Sequence, residues 1–329
     1  VVCTGSSWNS DAALERDLLA GRAGTDSVRR TRLLLPMRFR DALAATGRAV
    51  PLPAPVPPWD LQNSFAREAS TECELFVDEF DLAWQAYLSS GGFPRAVAEY
   101  HRTGRVSDAF CTDLMSWLHR DVDPDTAEDS VPRLLSGLAD RSTSPLNRTA
   151  SAQALGYATR QAFDTRLNRL TTTFAGVWSH QVDDSGRRVL GTQSKFYLAD
   201  PLLAWLGPRL RSGVAEPDFA QLTENALAVA LGAAVENHQV GRWLTQDVLG
   251  YLRSGSGNEI DFAPLPLPTS AGEARTTPLE SKWVSQGWRA ASRGIGQKLG
   301  YGIAATKSVL DLGQRVWAIL APVVALVLG

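Results

Sequence analysis

Residues 250–262 read GYLRSGSGNEIDF and residues 277–284 read TPLESKWV, and these two segments specify the architecture of the C-terminal third of the chain. The first reads as two strands joined by the turn SGSGN, and the second reads as a third strand. Glu280 and Lys282 are two positions apart, so in a strand their side chains extend from the same face. Asp261 ends the hairpin. The pattern predicts an α/β region that brings two carboxylates and an amine together.

A fourth candidate, Glu224, lies near the start of a predicted helix at residues 216–238. Leu227, Leu231 and Val235 follow it at helical spacing on one apolar face. A carboxylate in line with an apolar stripe is costly to bury unless it has a partner. A metal ion, or the lysine of the ESK triplet, would provide that partner.

These residue types suit phosphodiester hydrolysis. Asp261 and Glu280 offer the hard oxygen ligands that hold Mg²⁺ or Mn²⁺, Lys282 is suited to orient or deprotonate the attacking water, and Glu224 would complete the site. The alternative is an ordinary solvated strand, because an acid followed by E-x-K is a frequent pattern. The pattern therefore predicts a metal-dependent phosphodiesterase only in a suitable structural context.

The context is the order of the surrounding elements. A helix, a hairpin, the ESK strand, a Gly-rich helix-like segment at residues 292–310 and a buried strand at the start of residues 316–329 follow one another. This order resembles the restriction-endonuclease-like core of the PD-(D/E)XK superfamily. The resemblance implies a Mg²⁺-dependent deoxyribonuclease in residues 213–329, with a catalytically silent copy of the same fold as the alternative.

Length and composition limit the class of protein to which the chain can belong. The chain has 329 residues, 44% of them hydrophobic and 21% charged, which is enough for two or three domains with adequate cores. Its net charge of −2 gives no global sign of nucleic-acid binding, so DNA contacts would have to come from local clusters. Cysteines at positions 3, 73 and 111 have no disulfide or metal spacing. We expect reduced thiols, a cytoplasmic setting and no membrane span, since the C-terminal apolar run is short and contains Pro322.

A helix-turn-helix pattern begins at Val131, with apolar residues at helical spacing in three short segments. A predicted hairpin with a turn around residues 183–186 follows, which would form the wing of a winged helix. DNA is therefore the expected partner. The candidate phosphate contacts are arginines outside the apolar stripes, and their alternative is a role as ordinary solvated charges: Arg160, Arg166, Arg169, Arg187 and Arg188.

The N-terminal residues VVCTGSS read as a buried strand that ends in small polar residues. This strand, the Gly-Arg pair at positions 21 and 22, the segment at residues 30–43 and the later motifs YLSSGGFP, KFYLADPLLAWL, LTENAL, NEIDF and ESK resemble, in this order, a family of bacterial and archaeal AAA+ ATPases. Members carry a winged helix and a nuclease-like C-terminal domain. The resemblance implies that the strand is the sensor-1 strand, and that the nucleotide-sensing residues are Thr4, Ser6, Ser7 and Arg22. A capping turn and a helix-terminal arginine are the alternatives.

No G-x-x-x-x-G-K-[ST] motif occurs, so the chain should not bind ATP alone. We expect it to be part of a longer protein whose upstream region binds ATP and allows a homo-oligomer. The segment LFVDEF at residues 75–80 could be read as a Walker B strand, but the apolar spacing that follows favours an amphipathic helix ending at Gly91. Residues 49–60 are proline-rich and predict an extended loop or linker.

The sequence therefore predicts a multidomain α/β chain in four parts. Residues 1–60 would be the remnant of an AAA+ core, residues 61–130 a helical region, residues 131–212 a winged helix and residues 213–329 a PD-(D/E)XK nuclease-like domain. Two functions are open at this point. One is a metal-dependent nuclease that acts on DNA. The other is a non-catalytic module that binds DNA or protein while the upstream ATPase supplies the work.

Overall fold

A computed structural model describes residues 33–253 and 259–329. Within these ranges the protein is a mixed α/β structure with β-sheets of four, two and three strands. The predicted nucleotide-sensing residues, Thr4, Ser6, Ser7 and Arg22, lie outside the described residues. No helix in the described part of the chain combines the length and the apolar character that a membrane span requires.

The N-terminal part is helical. A helix begins at Val77 within LFVDEF, Phe80 and Trp84 are fully buried on one of its faces, and Gly91 caps its C-terminus. The interpretation of this segment as an amphipathic helix is therefore confirmed, and a Walker B strand is excluded. The helices of this part are α1 (Phe39–Ala45), α2 (Ser64–Glu74), α3 (Val77–Ser90), α4 (Pro94–Thr103) and α5 (Asp108–Val122).

The predicted three helices and hairpin follow. Asn147 and Thr159 accept hydrogen bonds from the backbone N–H groups of Ala150 and Ala162, which fixes the starts of the second and third helices. Strands β1 and β2 pair in antiparallel register, with Trp178 opposite Phe196. The elements are α6 (Ser130–Ala139), α7 (Arg148–Ala154), α8 (Arg160–Thr172), β1 (Gly176–Gln181) and β2 (Ser194–Leu198).

Two long helices lead into the C-terminal part, which contains the remaining strands. The two long helices are α9 (Pro201–Ser212) and α10 (Phe219–His238). The shorter helices that come later are α11 (Trp288–Ala291), α12 (Arg293–Lys298) and α13 (Ala321–Leu328). The strands are β3 (Gly250–Arg253), β4 (Glu259–Ile260), β5 (Pro266–Thr269), β6 (Gly272–Arg275), β7 (Leu279–Lys282), β8 (Gly302–Thr306) and β9 (Val316–Leu320).

The Gly-rich segment at residues 292–310 departs from the prediction. Only its first part is helical, and its second part is the buried strand β8. Gly300 and Gly302 have positive φ angles, which interrupt the helical backbone, and Ile303 is fully buried between its neighbouring strands. A continuous helix across this segment was therefore the wrong prediction.

The β-sheets connect the predicted winged helix to the predicted nuclease-like domain. Strand β1 pairs in parallel with β3, so one sheet has the order β2-β1-β3-β4. A parallel sheet of order β7-β8-β9 is linked to it through Phe262 and Leu279, whose backbone groups exchange two hydrogen bonds of 3.0 Å. Hydrogen bonds thus cross the predicted boundary between residues 212 and 213.

The proline-rich segment at residues 49–60 contains no helix or strand, as predicted for a loop, and it packs on the C-terminal part. The Val56 N–H donates to the Val327 carbonyl at 2.8 Å, and the Thr277 N–H donates to the Pro58 carbonyl at 2.7 Å. Helix α13 in turn contacts α1, α2 and α3. The segment therefore lies as a strap across the C-terminal elements and does not act as a spacer.

A buried carboxylate links α3 to α9. Asp200 caps the start of α9 by accepting from the Leu202 N–H at 2.8 Å, and it also accepts from the Gly92 N–H at 2.6 Å. Gly91 has a φ of +66°, and a Cβ added there would lie 2.1 Å from Asp200 Oδ1. This close approach explains the first glycine of the YLSSGGFP motif, and a Cβ added at Gly92 would lie 1.8 Å from the Met37 carbonyl oxygen.

We expect Gly91→Ala to lower the free energy of unfolding by about 3 kcal/mol, because it combines an unfavourable φ with a clash. Gly156→Ala is the matched control, since Gly156 has a φ of +73° and open space around its Cβ position. Its cost should be about 1 kcal/mol. Urea unfolding curves measure both. Equal losses would show that the approach to Asp200 has no energetic weight.

A buried histidine predicts a pH dependence of stability. His180 on β1 is 7% exposed and its Nδ1 lies 2.8 Å from Ser194 Oγ. Burial, assisted by the charge of Arg188, lowers the pKa of His180 to about 4. Between pH 4 and the unfolded value near 6.5, the unfolded chain binds a proton that the folded chain does not. Stability should therefore fall as the pH decreases through this window.

The His180→Asn variant should lose up to about 3 kcal/mol of this pH dependence between pH 6.5 and pH 4, as measured by urea unfolding at a series of pH values. The exposed His101→Asn serves as control and should leave the slope unchanged. An unaltered slope in the His180 variant would assign the acid sensitivity to other groups.

Candidate active site

Strand β7 presents the ESK triplet to a polar pocket. Glu280 is 1% exposed, and Lys282, two positions later on the same strand, is half-buried at the pocket wall. Asp261 follows β4 and lies across from this strand, where its Oδ2 accepts the Ser281 N–H at 3.0 Å. The backbone bridge between Phe262 and Leu279 holds the two segments at this spacing.

Helix α10 supplies the fourth predicted residue. Glu224 is 6% exposed, and its helix is anchored to β2 by the adjacent Asn225, whose side chain accepts from the Leu198 N–H and donates to the Leu198 carbonyl. Leu227 and the later apolar residues of this face are buried, as predicted. The helix therefore has little freedom to move Glu224 away from the sheet.

The structure brings the four predicted site residues to one pocket of about 680 Å³. The loop and helix start that follow β7 form the opposite wall. The charged residues that line the pocket are Glu224, Glu259, Asp261, Glu280, Lys282 and Arg293.

A lysine that the sequence analysis did not select occupies the centre of the acidic cluster. The Nζ atom of Lys195 lies 2.6 Å from Glu259 Oε1, 2.9 Å from Asp261 Oδ1 and 3.0 Å from Glu224 Oε1, and its side chain is fully buried. Tyr197, two positions later on β2, donates its hydroxyl to the same Glu224 oxygen at 2.7 Å. Lys195 and Glu259 were both missed.

One signal in the sequence could have revealed Lys195. It is one of only four lysines in the chain, and it begins the apolar strand KFYL, where a charge is expensive without a partner. The identity of that partner could not be read, because Glu224, Glu259 and Asp261 are between 29 and 66 positions away along the chain.

The electrostatics of the pocket reflect crowded acids in a buried setting. Burial raises the pKa of Glu280 to about 7, with the charge of Asp261 adding to the effect and Lys282 opposing it. Burial and Asp261 likewise raise the pKa of Glu224 to about 7. Burial opposes the ammonium of Lys195, but the surrounding carboxylates outweigh it and raise the pKa of Lys195 above its ordinary value.

The donor set can be tested against a divalent metal. Within residues 33–253 and 259–329, no group of three or more His, Cys, Asp or Glu residues is arranged as a ready-made metal site. Glu280 Oε2 is nevertheless a buried oxygen with no hydrogen-bond partner among the described residues, and its side chain lines the pocket. A buried, unpaired carboxylate oxygen beside Asp261 fits a hard cation such as Mg²⁺ or Mn²⁺.

The five candidate DNA-contacting arginines divide into two groups. Arg166 binds the buried carboxylate of Asp123 through two nitrogens at 2.7 and 3.1 Å, and Arg169 donates to the Val122 carbonyl at 2.9 Å. These two arginines hold α8 against α5, so they are not the ordinary solvated charges of the alternative interpretation. The exposed members are Arg160, Arg187 and Arg188.

Comparison with known proteins adds a family match over less than half of the chain. Residues 81–207 match a family described as a domain of unknown function, DUF8612. The matched range runs from within α3 to within α9 and includes Lys195, but it ends before Glu224 and the ESK strand. No curated protein and no solved structure matches the chain.

The ion pair between α5 and α8 generates a prediction. Arg166→Ala should lower the free energy of unfolding by about 2 to 4 kcal/mol, because it leaves the 2% exposed Asp123 without its cation. Arg160→Ala, on the same helix, removes an exposed i,i+4 pair with Asp164 and should cost less than about 1 kcal/mol. Thermal and urea unfolding measure both. A similar cost for the two variants would contradict the structural role of Arg166.

Proposed function

We propose that the C-terminal part of this chain is a Mg²⁺- or Mn²⁺-dependent nuclease that acts on DNA. The observation that supports it best is the buried Glu280 Oε2, which has no hydrogen-bond partner among the described residues and lies at the same pocket as Asp261, Lys282 and Glu224. A buried carboxylate oxygen without a donor is costly, and a bound cation would remove that cost.

In this proposal Asp261 and Glu280 would hold the metal. The metal, when bound, would polarise a phosphoryl oxygen and neutralise charge at the phosphate. Lys282 projects from the same strand face as Glu280 and would orient the attacking water through its ammonium or accept a proton from it in its neutral form. Glu224, on the buried helix α10, would complete the ligand shell of the metal.

The net charge of the ionised pocket favours the binding of a cation before the substrate. Four carboxylates face Lys195, Lys282 and Arg293, so one negative charge remains when all these groups are ionised. A phosphodiester also carries one negative charge and would be repelled. With a divalent ion held by Asp261 and Glu280, the net charge of the pocket would be positive and would attract the phosphate.

The remaining parts of the proposal rest on resemblance. Helices α6 to α8 with the β1–β2 hairpin follow the order of a winged helix, and we propose that Arg160, Arg187 and Arg188 contact DNA phosphates. We further propose that the chain belongs to a longer cytoplasmic AAA+ ATPase. ATP and any ring-like homo-oligomer would then depend on the upstream region.

A second function is favoured by a different observation. Lys195 already neutralises part of the acidic cluster, as expected for a catalytically silent copy of the fold. In that case the chain would be a non-catalytic module that binds DNA or protein. Metal binding and cleavage separate the two functions.

We expect the purified chain to cleave plasmid or single-stranded DNA with Mg²⁺ or Mn²⁺, and we expect Asp261→Asn, Glu280→Gln and Lys282→Met to reduce the rate at least about 100-fold. The Glu280 variant should also weaken Mn²⁺ binding in calorimetry. The matched controls are Glu273→Gln, at an exposed position, and Lys307→Met, at a half-buried lysine 3.9 Å from Asp81, and both should retain activity. Folded protein that binds DNA without metal uptake or cleavage would favour the binding module.

A further inference from the structure

Lys195 is positioned by elements other than those that carry the proposed metal ligands. It lies on β2, opposite Ser179 of β1, within the range that matches DUF8612. Its side chain extends to Glu224 on α10 and to Glu259 and Asp261 beside the hairpin. The β1–β3 pairing holds these elements together. The cluster is thus completed by a residue from the preceding part of the chain.

The ammonium uses the oxygen atoms that a metal would use. Asp261 Oδ1 is 2.9 Å from Lys195 Nζ, and Asp261 Oδ2 already accepts the Ser281 N–H. Glu224 Oε1 receives both Lys195 and the Tyr197 hydroxyl. Mg²⁺ requires ligand oxygens at about 2.0–2.1 Å in nearly octahedral geometry. A metal on Asp261 therefore has to share or displace the contacts of Lys195.

We propose that Lys195 is an internal counter-ion that competes with the divalent metal for Asp261 and Glu224, and thereby sets the metal affinity of the site. The inference rests on the proposed function, because it requires a metal at the pocket. Lys195 is a positioning residue in this scheme, since it acts through the carboxylates and not on the substrate.

The geometry provides a place for the ammonium when the metal is present. Glu259 is its shortest partner, at 2.6 Å, and Glu259 is not one of the proposed metal ligands. Movement of Nζ towards Glu259 would free Asp261 Oδ1 while the charge of Lys195 stays paired. Glu280 does not pair with Lys195, and its Oε2 has no hydrogen-bond partner among the described residues, so this oxygen could bind the metal without displacing the ammonium.

The test is the affinity for Mn²⁺ alone, measured by calorimetry on the full chain. Lys195→Met removes the charge and keeps the length of the side chain, and we expect it to bind Mn²⁺ about tenfold more tightly than the original protein. Lys298→Met removes a lysine paired with Asp184 at the surface and should leave the affinity unchanged. Lys195→Arg, which retains the charge, should not bind more tightly.

A purely structural lysine predicts the opposite sign. If Lys195 only held the carboxylates in place, Lys195→Met would disorder them and weaken Mn²⁺ binding. Unchanged or weaker binding by folded Lys195→Met therefore overturns the proposal. Circular dichroism and thermal unfolding establish that each variant is folded.

Glu259→Gln provides a second variant if Lys195→Met does not fold. It removes the partner that the ammonium needs after displacement, so the competition scheme predicts that Mn²⁺ binds about threefold or more weakly while Lys195→Arg remains no tighter than the original protein. A control of the same charge change is Glu273→Gln, at an exposed residue that is not among those lining this pocket. Equal affinities for Glu259→Gln and its control would overturn the scheme.

The outcomes separate this inference from the proposed function. Mn²⁺ binding by the original protein with no gain in Lys195→Met overturns the role of Lys195 and leaves the nuclease proposal intact. Absence of Mn²⁺ binding at millimolar concentration in every folded variant overturns the metal site and the role of Lys195 together. Tighter binding in Lys195→Met alone supports both.

Discussion

The buried ammonium of Lys195 and the carboxylates of Glu224, Glu259 and Asp261 form the interaction on which the site depends. Each of these charges would be expensive to bury alone, and their mutual contacts at 2.6 to 3.0 Å make the arrangement possible. The cluster draws on β2, α10 and the β4 region. It therefore connects β2, helix α10 and the end of the β3–β4 hairpin at the pocket where Glu280 and Lys282 also lie.

Strand pairing and helix packing hold these elements together. Strand β1 pairs with β3, the Phe262–Leu279 bridge connects the sheets, and α13 returns to pack against the N-terminal helices. The proline-rich strap adds hydrogen bonds at Val56 and Pro58 across the C-terminal elements. Hydrogen bonds and packed elements therefore connect the helical N-terminal part to the elements that form the acidic pocket.

Local patterns predicted much of what the structure contains. The two-residue spacing of Glu280 and Lys282 correctly placed both side chains on one strand face, and the apolar stripe after Glu224 correctly indicated a buried helix. Prediction failed where a contact joined distant segments. The position of Arg166 and Arg169 outside the apolar stripe predicts phosphate contacts or ordinary solvated charges, because their helix alone does not reveal the Asp123 carboxylate or the Val122 carbonyl that they bind. The Gly-rich segment was read as one helix because its strand half becomes evident only when β7 and β9 flank it.

By itself, the sequence determined the kinds of element and the chemical character of the site, since periodicity, capping residues and glycine positions act over a few residues. It placed Asp261, Glu280, Lys282 and Glu224 in one predicted site before any distance was available. Only the tertiary structure decided that a fifth residue, Lys195, lies among the acids and that the strap, the hairpin and the C-terminal strands form one connected body. The physical reason is range: a buried charge requires a partner, but the chain does not state which distant carboxylate supplies it until the sheet brings them together.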